Sequence, residues 1–233
     1  MINATNNSAN INKFTFSITN GVTDAFSESI CDTVDMLSQY SDVTRGALSD
    51  LDNIIILKGK GSDIADEFSA TEDKFQKYAL DAYGFVSKDD DAIVIVEDNH
   101  YRKNANLEGN LENQGSDTIA HEIGHLVDDE LSTTEEFQQA YLMDLQAIEE
   151  LLQDPNAQIN GHNLREIIFY LRHYVDGVNF EDGISEEDIT RTGLRENFAE
   201  CFSTIVDENP SEINEIYSTL FKNTMAQTQA LIV

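Results

Sequence analysis

The strongest constraint on this chain is the run Ser116–Asp129, SDTIAHEIGHLVDD, because one helix there must satisfy two opposite demands. At 100° per residue His121 stacks above His125, while Ile119, Ile123, Leu126 and Val127 gather on the other side. One face can anchor in a core. The other presents two imidazoles and the Glu122 carboxylate. His-Glu-x-x-His on a helix is the spacing at which two nitrogens reach one metal ion, with a glutamate between them able to polarise a bound water.

A hydrolytic zinc site takes three protein ligands and keeps one position open. A metzincin would place Gly and His at the sixth and ninth positions after Glu122. Here those are Asp128 and Leu131, which excludes that class. The run Arg195–Phe202, RENFAECF, offers carboxylates instead. Glu196 and Glu200 share one helical face, and Phe198, Phe202 and Ile205 share the opposite one. Two carboxylates on one face repel each other and suit a helix that serves a cation. Glu196 is read as the third ligand, and Glu200 as the acceptor that orients the ring N–H of a ligand histidine, His121. His100, His162 and His173 stand as rival ligands.

A length of 233 residues with 40% hydrophobic content suits a globular chain with a sizeable core. The balance of 44 acidic against 14 basic residues, net −30, argues against nucleic acid, whose binders need cations to displace phosphate counterions. It favours a protein or peptide substrate with basic segments, or simple solubility. Cys31 and Cys201 lie in apolar helical patterns and read as buried free thiols. No apolar run is long enough for a membrane span, and the start lacks the pattern of a conventional signal peptide. The expected setting is cytoplasmic, or that of an effector exported by another route, with a monomer the favoured state.

Along the chain, residues 1–12 read as a frayed terminus. Lys13–Thr19 alternates as a short strand. A helix follows, capped by Thr23 or Asp24 and carrying Phe26, Ile30, Val34 and Leu37. Asn53–Leu57 is a continuous apolar run suited to an interior strand, ended by the turn Lys58–Gly61. A helix is expected over Ser62–Tyr83. Tyr83–Val86 and Ala92–Val96 read as a hairpin around Ser87–Asp91, and Glu97–Gly115 as a polar loop. Helices are then expected over Thr134–Leu152, His162–Val175, Leu194–Val206 and Pro210–Leu231, with an acidic connection at Asp176–Asp188. The economical reading is one α+β domain over 13–233. It has an N-terminal α/β subdomain (13–130) with a small mixed or antiparallel sheet of about four strands, and a helical subdomain (131–233).

HEIGHLVDD followed by ENFAECF resembles the catalytic domain of anthrax toxin lethal factor and its relatives, among them the clostridial Pro-Pro endopeptidases. The likeness spans roughly Gly61 to Val206, includes Tyr83–Val86 with Ile93–Val96, and is tight only at the two motifs. It implies a zincin-like fold and a gluzincin-type zinc endopeptidase with one zinc per chain. His121, His125 and Glu196 would be its ligands and Glu122 its general base, in a toxin or effector. The family's oxyanion tyrosine falls at Ile189, which can donate nothing, so Tyr174 is taken as the donor, with Tyr170, His173 and Arg191 as other candidates. The alternative is a zinc-binding domain of little or no activity that serves as a protein-binding module.

Overall fold

The computed structural model describes residues 2–4, 14–58, 82–87, 91–100, 111–180 and 183–233. It is a mixed α+β fold that divides into two compact units, Met1–Leu126 and Val127–Val233.

The first unit holds a five-stranded mixed sheet made of β1 (Ile2–Ala4), β2 (Thr15–Ile18), β3 (Asn53–Leu57), β4 (Gly84–Ser87) and β5 (Ala92–Val96). Its order is β1-β2-β3-β5-β4. The three inner strands run parallel, and β1 and β4 lie antiparallel on the edges. The inner strands are apolar because both faces of such a sheet are covered. In β5 all five residues are buried, as are Ile54, Ile55, Ile56 and Leu57 of β3. Each isoleucine so removed from water contributes on the order of 2 kcal/mol. Instead of fraying, Ile2–Ala4 pairs with β2, with Ile2 opposite Ile18, and satisfies the edge that β2 would otherwise present.

Between β2 and β3 run α1 (Asp24–Leu37) and α2 (Asp42–Ser49). Thr23 caps α1 by accepting the Phe26 N–H, and Phe26, Ile30, Val34 and Leu37 are fully buried, as the spacing required. Cys31 is only half-buried, since its side of α1 faces outward. The helix expected over Ser62–Tyr83 lies outside the described residues except at its end, as do most of the turns at Lys58–Gly61 and Ser87–Asp91. The polar loop expected over Glu97–Gly115 is interrupted at both ends. A helical turn, α3 (Glu97–His100), follows β5 directly, and the long helix α4 (Leu111–Asp128) begins five residues earlier than read. Asn113, Gln114 and Gly115 disguised its first turns. Gly115 is required there, because a Cβ would meet the Phe26 ring at 2.9 Å.

The second unit is built on α5 (Glu135–Leu152), α6 (Leu164–Tyr170), α7 (Arg191–Val206), α8 (Glu212–Leu220) and α9 (Lys222–Ile232). Its core takes Phe137, Tyr141 and Leu145 from α5, Phe198 and Phe202 from α7, Tyr217 from α8, and Phe221 from the junction of α8 and α9. The expected helix over His162–Val175 is shorter. A small hairpin, β6 (Gln158–Ile159) with β7 (His162–Asn163), takes its start through Asn160 and Gly161, both at positive φ. The expected helix Pro210–Leu231 is two helices, because Phe221 leaves helical geometry (φ −108°, ψ 38°) to stack on Tyr217. Among the described residues no helix is long and apolar enough to cross a membrane.

Candidate metal centre

α4 delivers the arrangement that its sequence demanded. Ile119 and Ile123 are fully buried, Val127 nearly so and Leu126 half-buried. On the other side His121 and His125 are half-buried, with ring centroids 4.8 Å apart and planes at 88°. Glu122 is 6% exposed. It lies against β4, where Gly84 leaves the necessary room: a Cβ there would meet Ile95 Cδ1 at 2.7 Å, Thr118 Cγ2 at 2.9 Å and Glu122 Cγ at 3.1 Å.

α7 is capped by Thr190, whose hydroxyl accepts the Gly193 N–H at 2.9 Å. Phe198 and Phe202 are fully buried and Ile205 half-buried, which leaves Glu196 and Glu200 half-buried on the opposite face. Ligand atoms of His121, His125 and Glu196 all lie within 4.8 Å of one another. Two imidazole nitrogens and one carboxylate oxygen at that spacing fit the donor set of a hydrolytic zinc ion.

Asp128 carries more than its sequence reading, where it served only to exclude the metzincin pattern. Its carboxylate accepts the Ser132 N–H at 2.7 Å and the Ser132 hydroxyl at 2.9 Å, and pairs with Arg195 Nε at 3.4 Å. It thereby ties the end of α4 to the next turn and to the first turns of α7. A serine four residues after an aspartate at a helix end was the available signal.

Tyr174 donates its hydroxyl hydrogen bond to Glu200. Burial, then the neighbouring charges of Glu200 and Glu196, hold that hydroxyl well above the ordinary tyrosine range, so it stays a donor. The Tyr174 carbonyl accepts from the Tyr141 hydroxyl at 2.6 Å. Ile189 ends a short 3-10 turn, Glu186–Asp188. Arg191 pairs with Glu130 at 3.0 Å on the surface, and Tyr170, half-buried, closes α6.

The rival ligands have other occupations. His100 is 5% exposed, with Nδ1 2.9 Å from the Val96 carbonyl and Nε2 2.9 Å from the Thr118 hydroxyl. His162 Nε2 lies 3.0 Å from Glu212, and His173 is exposed. Comparison with known proteins adds nothing to this picture: no family model, curated protein or solved structure matches the chain.

Proposed function

We propose that this chain is a gluzincin-type zinc endopeptidase of zincin-like fold, akin to the lethal-factor-like peptidases, acting on a protein substrate as a toxin or effector. The observation that carries the reading is the convergence of His121, His125 and Glu196 donor atoms within 4.8 Å. Zinc, when bound, supplies Lewis acidity that brings the pKa of a water toward neutrality. Glu122, in the turn between the two histidines, takes the proton of the attacking water on its carboxylate and delivers it to the departing amide nitrogen. Glu200, held by the Tyr174 hydroxyl, is the acceptor for a ligand-histidine N–H. β4 lies at the sheet edge beside Glu122, so an extended substrate can add to it as a further strand. A net charge of −30 favours substrates with basic segments.

Metal analysis of purified chain should return one zinc, and a diverse peptide library should be cut. Glu122→Gln should keep the zinc and lose the cleavage. Failure to take up zinc after supplementation overturns the proposal. A second reading, a zinc-bearing protein-binding module, draws on Ile189 and on a Tyr174 hydroxyl already engaged by Glu200. It predicts stoichiometric zinc with no peptide cut.

A further inference from the structure

The helical turn α3 is fixed to the sheet unit at several points. The Glu97 carboxylate accepts the Thr23 N–H at 3.1 Å and the Thr23 hydroxyl at 2.8 Å, and pairs with Lys58 Nζ at 3.1 Å. The Asp98 N–H donates to the Lys58 carbonyl at 3.2 Å. At the end of this turn stands His100, packed edge-on against Phe26 (5.0 Å between centroids) and beside Tyr83 (4.9 Å). The Val96 carbonyl can only accept, so His100 Nδ1 carries the proton, and Nε2 is left to accept from the Thr118 hydroxyl. Thr118 lies one turn before Glu122 on the same side of α4, and both border the gap at Gly84.

We infer that His100 is a positioning residue: clamped between the Val96 carbonyl and the Thr118 hydroxyl, it sets the register of α4 against the sheet and so the place of Glu122. A helix buried only through apolar contacts can slide by fractions of an ångström at small cost. A histidine that bridges a strand carbonyl to a helix hydroxyl fixes the axial position. The inference rests on the peptidase reading for its catalytic consequence, while the clamp itself can be tested without it.

The test uses the full chain, zinc-loaded, with Thr118→Val (same shape, no hydroxyl), Thr118→Ser (hydroxyl restored) and His100→Gln. Thr118→Val should lower kcat on a cleaved library peptide about 10-fold with KM unchanged, because small misplacements of a reacting group act on the chemical step. Amide hydrogen exchange over Ser116–Glu122 should quicken by about 10-fold in Thr118→Val and stay near wild type in Thr118→Ser, with α5 unaffected. His100→Gln combined with Thr118→Val should be no worse than the worse single variant, as expected for one shared bond. Wild-type exchange and kcat in Thr118→Val, or fully additive losses in the double variant, overturn the inference. If the wild-type chain cuts no peptide, the peptidase reading fails, and the exchange comparison still decides the clamp.

Discussion

Two regions of this molecule draw carboxylates wholly or partly out of water, and they do it in opposite ways. Around Asp144, on α5, a single carboxylate is fully buried and meets four donors: the Asn223 N–H (3.2 Å) and side-chain amide (2.7 Å), and the Thr224 N–H (2.8 Å) and hydroxyl (2.7 Å). No cation among those donors is needed, because the hydrogen bonds spread the charge over fixed dipoles. On α7, Glu196 and Glu200 stand one turn apart and half-exposed, within range of the same tyrosine hydroxyl, and Glu196 converges with two histidines. The first region concentrates donors around one charge, which stabilises a fold. The second concentrates charges, an arrangement that gains most from a bound cation.

The contrast is sharpest if each region is deprived of its acid. Glu196→Ala should abolish zinc retention on dialysis against a weak chelator, yet leave the metal-free chain as stable as before or a few tenths of a kcal/mol more so, through relief of repulsion with Glu200. Asp144→Ala should do the reverse. Four donors, two of them on fully buried Thr224, lose their acceptor, which costs on the order of 3 kcal/mol in denaturant unfolding, while zinc still binds below the transition. An Asp144→Ala chain as stable as wild type would erase the distinction.

Gly84→Ala comes next. Its new methyl must displace Ile95, Thr118 and Glu122 side chains, at about 1–3 kcal/mol, and cleavage should fall further than stability alone explains because Glu122 is one of the three. Another buried acid, Glu97, supplies a pH test. Burial alone would raise the Glu97 carboxyl, but the Thr23 hydroxyl and N–H and the Lys58 ammonium outweigh it and hold its pKa below the ordinary glutamate value. A folded pKa below the unfolded one gives stability that is present above the unfolded value, about 4.3, and lost as pH falls through the folded one. Glu97→Gln should therefore flatten the acid limb of a Tm–pH profile that the wild type shows. The smallest effect belongs to Arg191→Ala. Both partners of its pair with Glu130 are about 70% exposed, so stability should move by no more than about 0.5 kcal/mol. A large loss of kcat there would instead make Arg191 the oxyanion donor.

The sequence showed these regions unequally. The α4 histidines and the α7 glutamates are set by helical periodicity, a local rule, and their buried and open faces follow from single runs of residues. The same holds for β3, β5 and the Thr23 cap. The strand residues His162 and Asn163 fall inside the expected helix because Leu164, Ile167, Ile168 and Leu171 dominate the window, although Asn160-Gly161 just before them is a strong turn signal. The break at Phe221 was not legible, since only the stacking partner Tyr217 and the buried Tyr141 give that aromatic a reason to leave the helix. His100 read as a polar loop residue, and nothing near it in sequence announces Thr118, 18 positions on. Asp144 carries no local signal of its burial, because its donors lie 79 and 80 residues away.

That separation has a consequence for synthesis. A ribosome adding about 5–20 residues per second takes on the order of 4–16 s to go from Asp144 to Thr224. Throughout that interval α5 must keep its aspartate hydrated, so the helical unit cannot close around it, and α7, complete only at Val206, spends the last part of it with its aromatic face uncovered. The sheet unit has its last strand long before. The nascent chain thus carries an open second unit, in which exposed Phe198 and Phe202 invite chaperones or aggregation until Thr224 arrives.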